Sequence, residues 1–297
     1  MTLATAPGRT LAGIARSHAE WRPWLAVLEV VAEAAGDRGW RLAVPAVPEP
    51  PDDARPLLTG ATLTPDARLA RRWLRRLLET AAEAGGPAAA LAGAARADDD
   101  VHAELLESGL AQDSARISGL AMRLGVEPQA LAAVAVVAPV PLLRACAEHW
   151  RDRLSNGWSH GYCPLCGAWP ALAEARGLER ARRLRCGRCA ADWAFGWLRC
   201  VYCGMDDHAR LGSLVSEVEA ARRASSVDTC LACRGYLKTM TTLGPTPADD
   251  LPLLDLTTVE LDVAALEQGY LRPDGPGAAL RARVQPRAAG LLGGWRR

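Results

Sequence analysis

Long apolar runs are missing from this chain, and their absence bounds its class before any motif is read. The most apolar stretch, Leu131 to Leu143, covers 13 residues and contains Pro139 and Pro141, whereas a membrane-spanning helix takes about 20. No membrane span is expected. Met1 to Trp24 is interrupted by Arg9, Arg16 and His18, so it lacks the apolar centre of a secretion signal, and the protein is expected to stay in the cytoplasm. Net charge is also nearly absent, at +1, which argues against whole-protein attraction to nucleic acid or an anionic membrane surface. Lysine and phenylalanine are reduced to one residue each, Lys238 and Phe195. Arginine therefore carries nearly all the positive charge, a bias of composition from which no function follows.

Cysteine, by contrast, is concentrated in one place. Eight of the nine cysteines lie between residues 163 and 233 as four C-x-x-C pairs: Cys163/Cys166, Cys186/Cys189, Cys200/Cys203 and Cys230/Cys233. Each pair offers two thiols from one tight turn, and two pairs complete a tetrahedral four-sulfur site, so eight thiols imply two metal ions, iron or zinc. Gly167 and Gly204 directly follow the second cysteine of their pairs, and Gly187 lies inside another. Glycine accepts positive φ and lets backbone N–H groups approach the sulfurs. Strict spacing repeated four times is a metal-knuckle pattern that a disulfide framework does not require. A reducing cytoplasm also favours free thiolates.

At 297 residues the chain is long enough for two or three domains. Its first half reads as helical. Apolar residues recur at helical spacing from Leu11 to Ala35, and a proline-rich connector follows over residues 41 to 60. Thr64 and Pro65 signal a second helix running to Gly85, and Asp98 to Asp100 cap a third that ends at Gly125. Pro128 opens a fourth, interrupted at Pro139 and Pro141 and resuming to Trp150. Arg71, Arg72, Arg75 and Arg76 read as a solvated helix surface, and Cys146 with His149 as a core pair rather than a nucleophile and its base.

Past Gly157 the texture changes to short apolar stretches, glycines and cysteine turns. Two repeats emerge, each opening on a knuckle that ends in glycine and closing on one that does not. Sequential pairing explains this order with the fewest assumptions: Cys163, Cys166, Cys186 and Cys189 in one site, and Cys200, Cys203, Cys230 and Cys233 in the other. Cross-braced pairing stays open. The expected fold is α+β. An all-α domain over residues 1–155 precedes two small tandem zinc-ribbon-type β modules at 156–198 and 199–272, with a flexible tail at 273–297.

A four-thiolate ion has no open coordination position, so it is ill suited to activate water or polarise a substrate. Scaffolding a small domain remains, as does one-electron transfer if the ion is iron. Arg182, Arg183, Arg185, Arg188 and Arg199 are placed to offset the negative charge of such centres. Nucleic-acid binding is disfavoured, because residues 156 to 240 hold 12 Arg and Lys against 8 Asp and Glu, a surplus that two four-thiolate divalent centres cancel. Trp193 and Tyr236 are expected to pack over the sulfurs. His160 and His208 are expected to lie outside the ligand sets.

These residues together resemble the FdhE family of formate dehydrogenase accessory proteins. The likeness rests on Cys163-Pro164-x-Cys166-Gly167 followed by Pro170, and on Leu184-x-Cys186-x-x-Cys189 leading through Trp193 and Arg199 to Cys200-x-x-Cys203. It continues with Cys230-x-x-Cys233-x-x-Tyr236-x-Lys238, Asp249-Asp250, Leu254-Asp255 and Gly269-Tyr270. The resemblance implies a non-catalytic, cytoplasmic maturation factor with two rubredoxin-like metal sites. Its partner would be the catalytic subunit of a respiratory formate dehydrogenase, met before export. On this reading Asp249, Asp250 and Asp255 form a client-contact surface, and the competing role for them is to cap turns. An iron-based electron carrier and a nucleic-acid-binding zinc ribbon are the alternatives, and self-association into a homodimer is left open.

Overall fold

In the computed structural model the described residues are 11–46, 55–154, 157–215 and 224–287. They fall into two compact units. One comprises, among the described residues, 15–46, 57–149 and 280–287, and the other 11–14, 55–56, 150–154, 157–215 and 224–279.

The first unit is mainly helical, with more breaks than periodicity alone predicts. The stretch expected as one helix from Leu11 to Ala35 divides into Leu11–Ser17 and Arg22–Ala35. Pro23 lies in the first turn of the second helix, where a missing N–H is tolerated. The next helix begins at Ala67 rather than Pro65, because Asp66 is the cap and its carboxylate accepts the Leu69 N–H at 2.9 Å. The expected third helix is two, Asp99–Ala111 and Ser114–Leu124. Gln112 turns left-handed at φ 53° to end the first, and Asp113 caps the second by accepting the Arg116 N–H at 3.0 Å.

Pro139 separates Pro128–Val137 from Val140–His149, as the sequence predicts, whereas Pro141, also expected to interrupt, lies in the first turn of the second helix, where a missing N–H is tolerated. Together these 22 residues are long and apolar enough to cross a membrane, yet 72% of their apolar window is buried within the protein. Leu131, Val134, Leu142 and Leu143 belong to the core of the helical unit. Cys146 is buried there too, outside both cysteine clusters.

The stretch from 273 onward, expected as a flexible tail, contains a strand. Arg283–Val284 (β8) pairs in parallel with Thr62–Leu63 (β1), and the Glu107 carboxylate accepts the Val284 N–H at 2.9 Å. Buried Leu280 and Val284 anchor the segment, two apolar positions that the Gly/Pro/Arg-rich composition around them obscures. Residues 288–297 lie outside the described residues.

The second unit is built on one six-stranded sheet, ordered β4-β3-β2-β7-β6-β5. Its strands are Leu172–Arg176 (β2), Ala181–Arg185 (β3), Asp192–Ala194 (β4), Leu211–Val215 (β5), Ser225–Cys230 (β6) and Tyr236–Thr242 (β7). The first cysteine repeat supplies β2 to β4 as an antiparallel meander, and the second supplies β5 to β7 as another. The two join where β2 runs parallel to β7, from Ala173↔Thr239 to Arg176↔Thr242. The fold is thus α+β, and its two modules share one sheet.

Side chains alternate across such a sheet, and the two faces differ. One is covered by the helices Asp250–Leu256 and Val259–Glu267. Leu172 and Met240 pack there with Leu251 and Leu254, and Val227 and Tyr236 pack with Ala265 and Tyr270. Between Tyr236 and Met240 on this covered face lies Lys238, the chain's sole lysine, at 0% exposure. Its ammonium is held at 2.7 Å by the carboxylates of both Asp255 and Asp262, one from each covering helix. Arg272 donates to the same two carboxylates at 3.0 and 2.9 Å. On the opposite face Arg182 pairs with Asp228 at 2.7 Å, and Thr239 donates to the same carboxylate oxygen at 2.9 Å.

Removing one member of a buried charge network leaves its partners uncompensated, which costs about 3–5 kcal/mol. Lys238→Met is therefore expected to lower the unfolding free energy of the C-terminal unit by about that amount, as measured by denaturant titration of the wild type and variant. Burial opposes ionisation of Asp255, but Arg272 and Lys238 outweigh it and hold its carboxyl below the ordinary 3.8. The stability this group contributes is then fully present above pH 3.8 and lost as pH falls through its lower folded-state value. The same titrations run through that acidic window should show the loss, and Asp255→Asn should flatten it.

Candidate metal centres

All four cysteine pairs adopt one turn. The N–H of the first cysteine donates to the carbonyl five residues on in each case: Cys163 to Ala168 at 2.8 Å, Cys186 to Ala191 at 3.0 Å, Cys200 to Met205 at 2.7 Å and Cys230 to Gly235 at 3.0 Å. The residue before that carbonyl has positive φ in every knuckle: Gly167 at 71°, Ala190 at 60°, Gly204 at 74° and Arg234 at 58°. Two knuckles carry glycine at this position and two adopt the same turn without it.

The turns bring the sulfurs together in two groups of four, Cys163/Cys166/Cys186/Cys189 and Cys200/Cys203/Cys230/Cys233, each with all sulfurs within 4.8 Å of one another. Within each repeat the two knuckles therefore meet, in the sequential arrangement. The Sγ···Sγ separations are 3.5 Å for Cys163–Cys189 and 3.6 Å for Cys166–Cys186 in the first cluster. In the second they are 3.6 Å for Cys200–Cys233 and 3.8 Å for Cys203–Cys230. A disulfide would place sulfurs about 2.05 Å apart. A tetrahedron with metal–sulfur bonds of about 2.3 Å has edges of about 3.8 Å, so the donor set fits a four-coordinate ion in both places.

The thiol chemistry of the first cluster is that of a shared charge. Burial pushes the Cys163 and Cys189 thiols up, whereas hydrogen bonds from Cys163, Cys166 and Cys189 hold Cys186 well below the ordinary thiol value. In the second cluster burial pushes Cys233 up to about 11. Four thiols so placed favour a cation that takes the place of their protons, and such binding weakens as pH falls.

The clusters differ in their cover. Knuckle one is buried from Cys163 through Ala168, and all four cysteines of its cluster are buried. A Cβ on Gly167 would meet the Ala278 carbonyl oxygen at 2.4 Å, and Ala278 donates its N–H to the Gly167 carbonyl at 2.9 Å. The equivalent Gly204 meets only the Arg199 guanidinium, at 3.6 Å. In the second cluster Cys203 and Cys233 are exposed, as are Leu231, Ala232 and Arg234 around Cys233.

Aromatic side chains pack between the two groups. Tyr162 meets Trp169 edge-on at 6.1 Å, and Trp169 meets Tyr202 at 5.1 Å. Tyr202 lies inside the third knuckle and donates its hydroxyl to the Tyr236 carbonyl at 2.8 Å. Trp193 is fully buried, with its indole N–H donating to the His160 carbonyl at 3.1 Å. His160 stacks on Tyr162 at 5.0 Å, and His208 is exposed in a short turn. Neither histidine is part of a four-sulfur group.

Three arginines expected to offset the sulfurs are engaged elsewhere. Arg182 pairs with Asp228, Arg183 with Asp192, and Arg185 with the fully buried Glu174 at 2.5 Å. The three acidic residues also separate. Asp255 is committed to Lys238 and Arg272, whereas Asp249 is exposed and Asp250 partly so at the start of the helix Asp250–Leu256. Periodicity gave no sign of the Lys238–Asp255–Asp262–Arg272 network; the presence of a single lysine in an arginine-rich chain was its one legible trace. A cavity of about 290 Å³ beside the second cluster is walled by Trp197, Leu198, Tyr202, Leu211 and Leu237, with Arg182 and Asp228 among its polar lining.

Fold and site together define an α+β protein that carries two candidate Cys₄ metal centres on a shared sheet. No protein-family model matches the chain. Among curated proteins it is similar to a protein FdhE homolog of Aquifex aeolicus, 32% identical over 122 residues, covering 39% of this chain and 40% of that protein. A protein FdhE homolog of Pseudomonas aeruginosa is 34% identical over 146 residues, covering 45% of this chain and 47% of the relative. Each match thus spans less than half the length of the curated relative. The crystal structure of the FdhE protein from Pseudomonas aeruginosa shares the fold, with a TM-score of 0.54 at 22% identity over 92% of this chain and 93% of that one. The FdhE-family resemblance read from the cysteine motifs is borne out by these matches.

The uneven cover predicts unequal responses to one methyl group. Gly204→Ala should cost about 1–2 kcal/mol, the penalty for a non-glycine residue at left-handed φ. Gly167→Ala should cost several times more, because the new carbon meets a backbone oxygen that cannot move freely. Denaturant midpoints of the two variants compare them directly, and equal losses would contradict the assigned difference in packing.

Proposed function

We propose that this protein is a formate dehydrogenase accessory factor that binds the enzyme's catalytic subunit in the cytoplasm and supports its assembly or activation before export. One metal ion, iron or zinc, is held by Cys163, Cys166, Cys186 and Cys189, and a second by Cys200, Cys203, Cys230 and Cys233. The observation that carries the reading is the pair of four-sulfur clusters in a chain similar to proteins named FdhE homologs. Four thiolates leave an ion no open position for substrate or water. The centres then act by holding a docking surface in shape, and the protein is not itself an enzyme.

The surface nearest the second cluster supports a binding role. Its cavity is lined by apolar side chains, and Trp197, Leu198 and Leu231 are exposed around it and the adjoining knuckle. Exposed Asp249 and partly exposed Asp250 supply a separate acidic patch for basic residues of the client. A second reading, electron transfer through iron, is favoured by the Tyr162–Trp169–Tyr202 contacts that lead from the first knuckle to the third.

Charge reversal at both acids, Asp249→Lys with Asp250→Lys, is expected to reduce co-purification of the formate dehydrogenase catalytic subunit by about tenfold or more, a difference of about 1.4 kcal/mol. Both metals should stay bound, as read by metal analysis of the same samples. Undiminished capture by the double variant would remove the acidic patch from the interface.

A further inference from the structure

The two clusters are alike in sequence and turn geometry and unlike in access. This difference has a chemical consequence that the accessory role does not itself supply. In the first cluster every sulfur is buried, and the segment at Ala278 lies over the knuckle that holds Cys163 and Cys166. In the second, Cys200 and Cys230 are buried residues while the outer ones, Cys203 and Cys233, are exposed. The outer pair comes from different knuckles, so each half of the site has one accessible ligand. Among the described residues nothing equivalent to Ala278 closes over Gly204, whose near neighbour there is a flexible arginine side chain, Arg199. Ligand exchange at a saturated tetrahedral ion begins when an incoming group reaches the ion or one sulfur departs, and both need solvent access.

We propose that the second site is the exchangeable one. Its ion enters and leaves past Cys203 and Cys233, and these two thiols are the chain's first points of attack by soluble electrophiles, while the first site keeps its ion. The inference rests on the reading that both clusters hold metal. With a maleimide as the electrophile, the thiolate sulfur adds to one alkene carbon, the other carbon takes a proton from water, and the metal loses that sulfur as a ligand.

The test uses the full chain, loaded with zinc under anaerobic conditions, with total metal measured first. A chromogenic zinc chelator should then draw off one ion per chain in a fast phase and the second about tenfold or more slowly, within the range by which a metal site's surroundings shift its behaviour. N-ethylmaleimide added in a time course, with peptide mass spectrometry, should label Cys203 and Cys233 before any cysteine of the first cluster. Cys203→Ser should abolish the fast phase and leave the slow one. Release of both ions in a single phase would overturn the inference, as would earlier labelling of Cys163, Cys166, Cys186 or Cys189. If Cys203→Ser does not accumulate, the labelling order on the unaltered chain decides. Fewer than two ions in the loaded protein would instead overturn the underlying two-metal reading.

Discussion

The parallel pairing of β2 with β7 is the constraint on which the C-terminal unit depends. Each cysteine repeat by itself forms only a three-stranded meander, about the smallest sheet that persists in water, and then only with a face to cover. Hydrogen-bonding Ala173 through Arg176 to Thr239 through Thr242 turns two marginal ribbons into one sheet wide enough for two helices to cover. That cover puts Lys238 out of water between Asp255 and Asp262. The ammonium therefore acts at the join, tying each covering helix to the strand where the second repeat meets the first.

Because the repeats are fused, their likeness does not extend to their surroundings. Knuckle one faces the chain near Gly277 and Ala278, so close that a Cβ on Gly277 would meet the Tyr162 and Trp169 side chains. Knuckles three and four face solvent at their outer cysteines. One sequence pattern used twice has yielded an enclosed cluster and one with two exposed cysteines.

Much of the site was legible in the residues, because C-x-x-C spacing fixes a local turn and the order of glycine-ending and other knuckles favoured the sequential pairing without excluding the cross-braced one. Ala190 and Arg234 show where the local code ends: they adopt the positive φ of Gly167 and Gly204 without glycine's freedom, in turns closed by the Cys186 and Cys230 N–H groups donating to the Ala191 and Gly235 carbonyls. The helical half was legible in its apolar spacing but not in its breaks, since Asp66 and Asp113 won the capping positions by side-chain hydrogen bonds that periodicity does not register. Strand pairing between the repeats was beyond sequence reasoning. Nothing local marks Ala173 and Thr239 as partners across 66 residues, and the burial of Lys238 and the commitment of Asp255 depend on that pairing.

X-ray absorption spectroscopy of the anaerobically purified protein, combined with metal quantification, tests the central claim most directly. The account predicts two metal ions per chain, each with four sulfur neighbours at about 2.3 Å and no nitrogen or oxygen ligand. Fewer than two ions, or a light-atom neighbour in the first coordination shell, would contradict it.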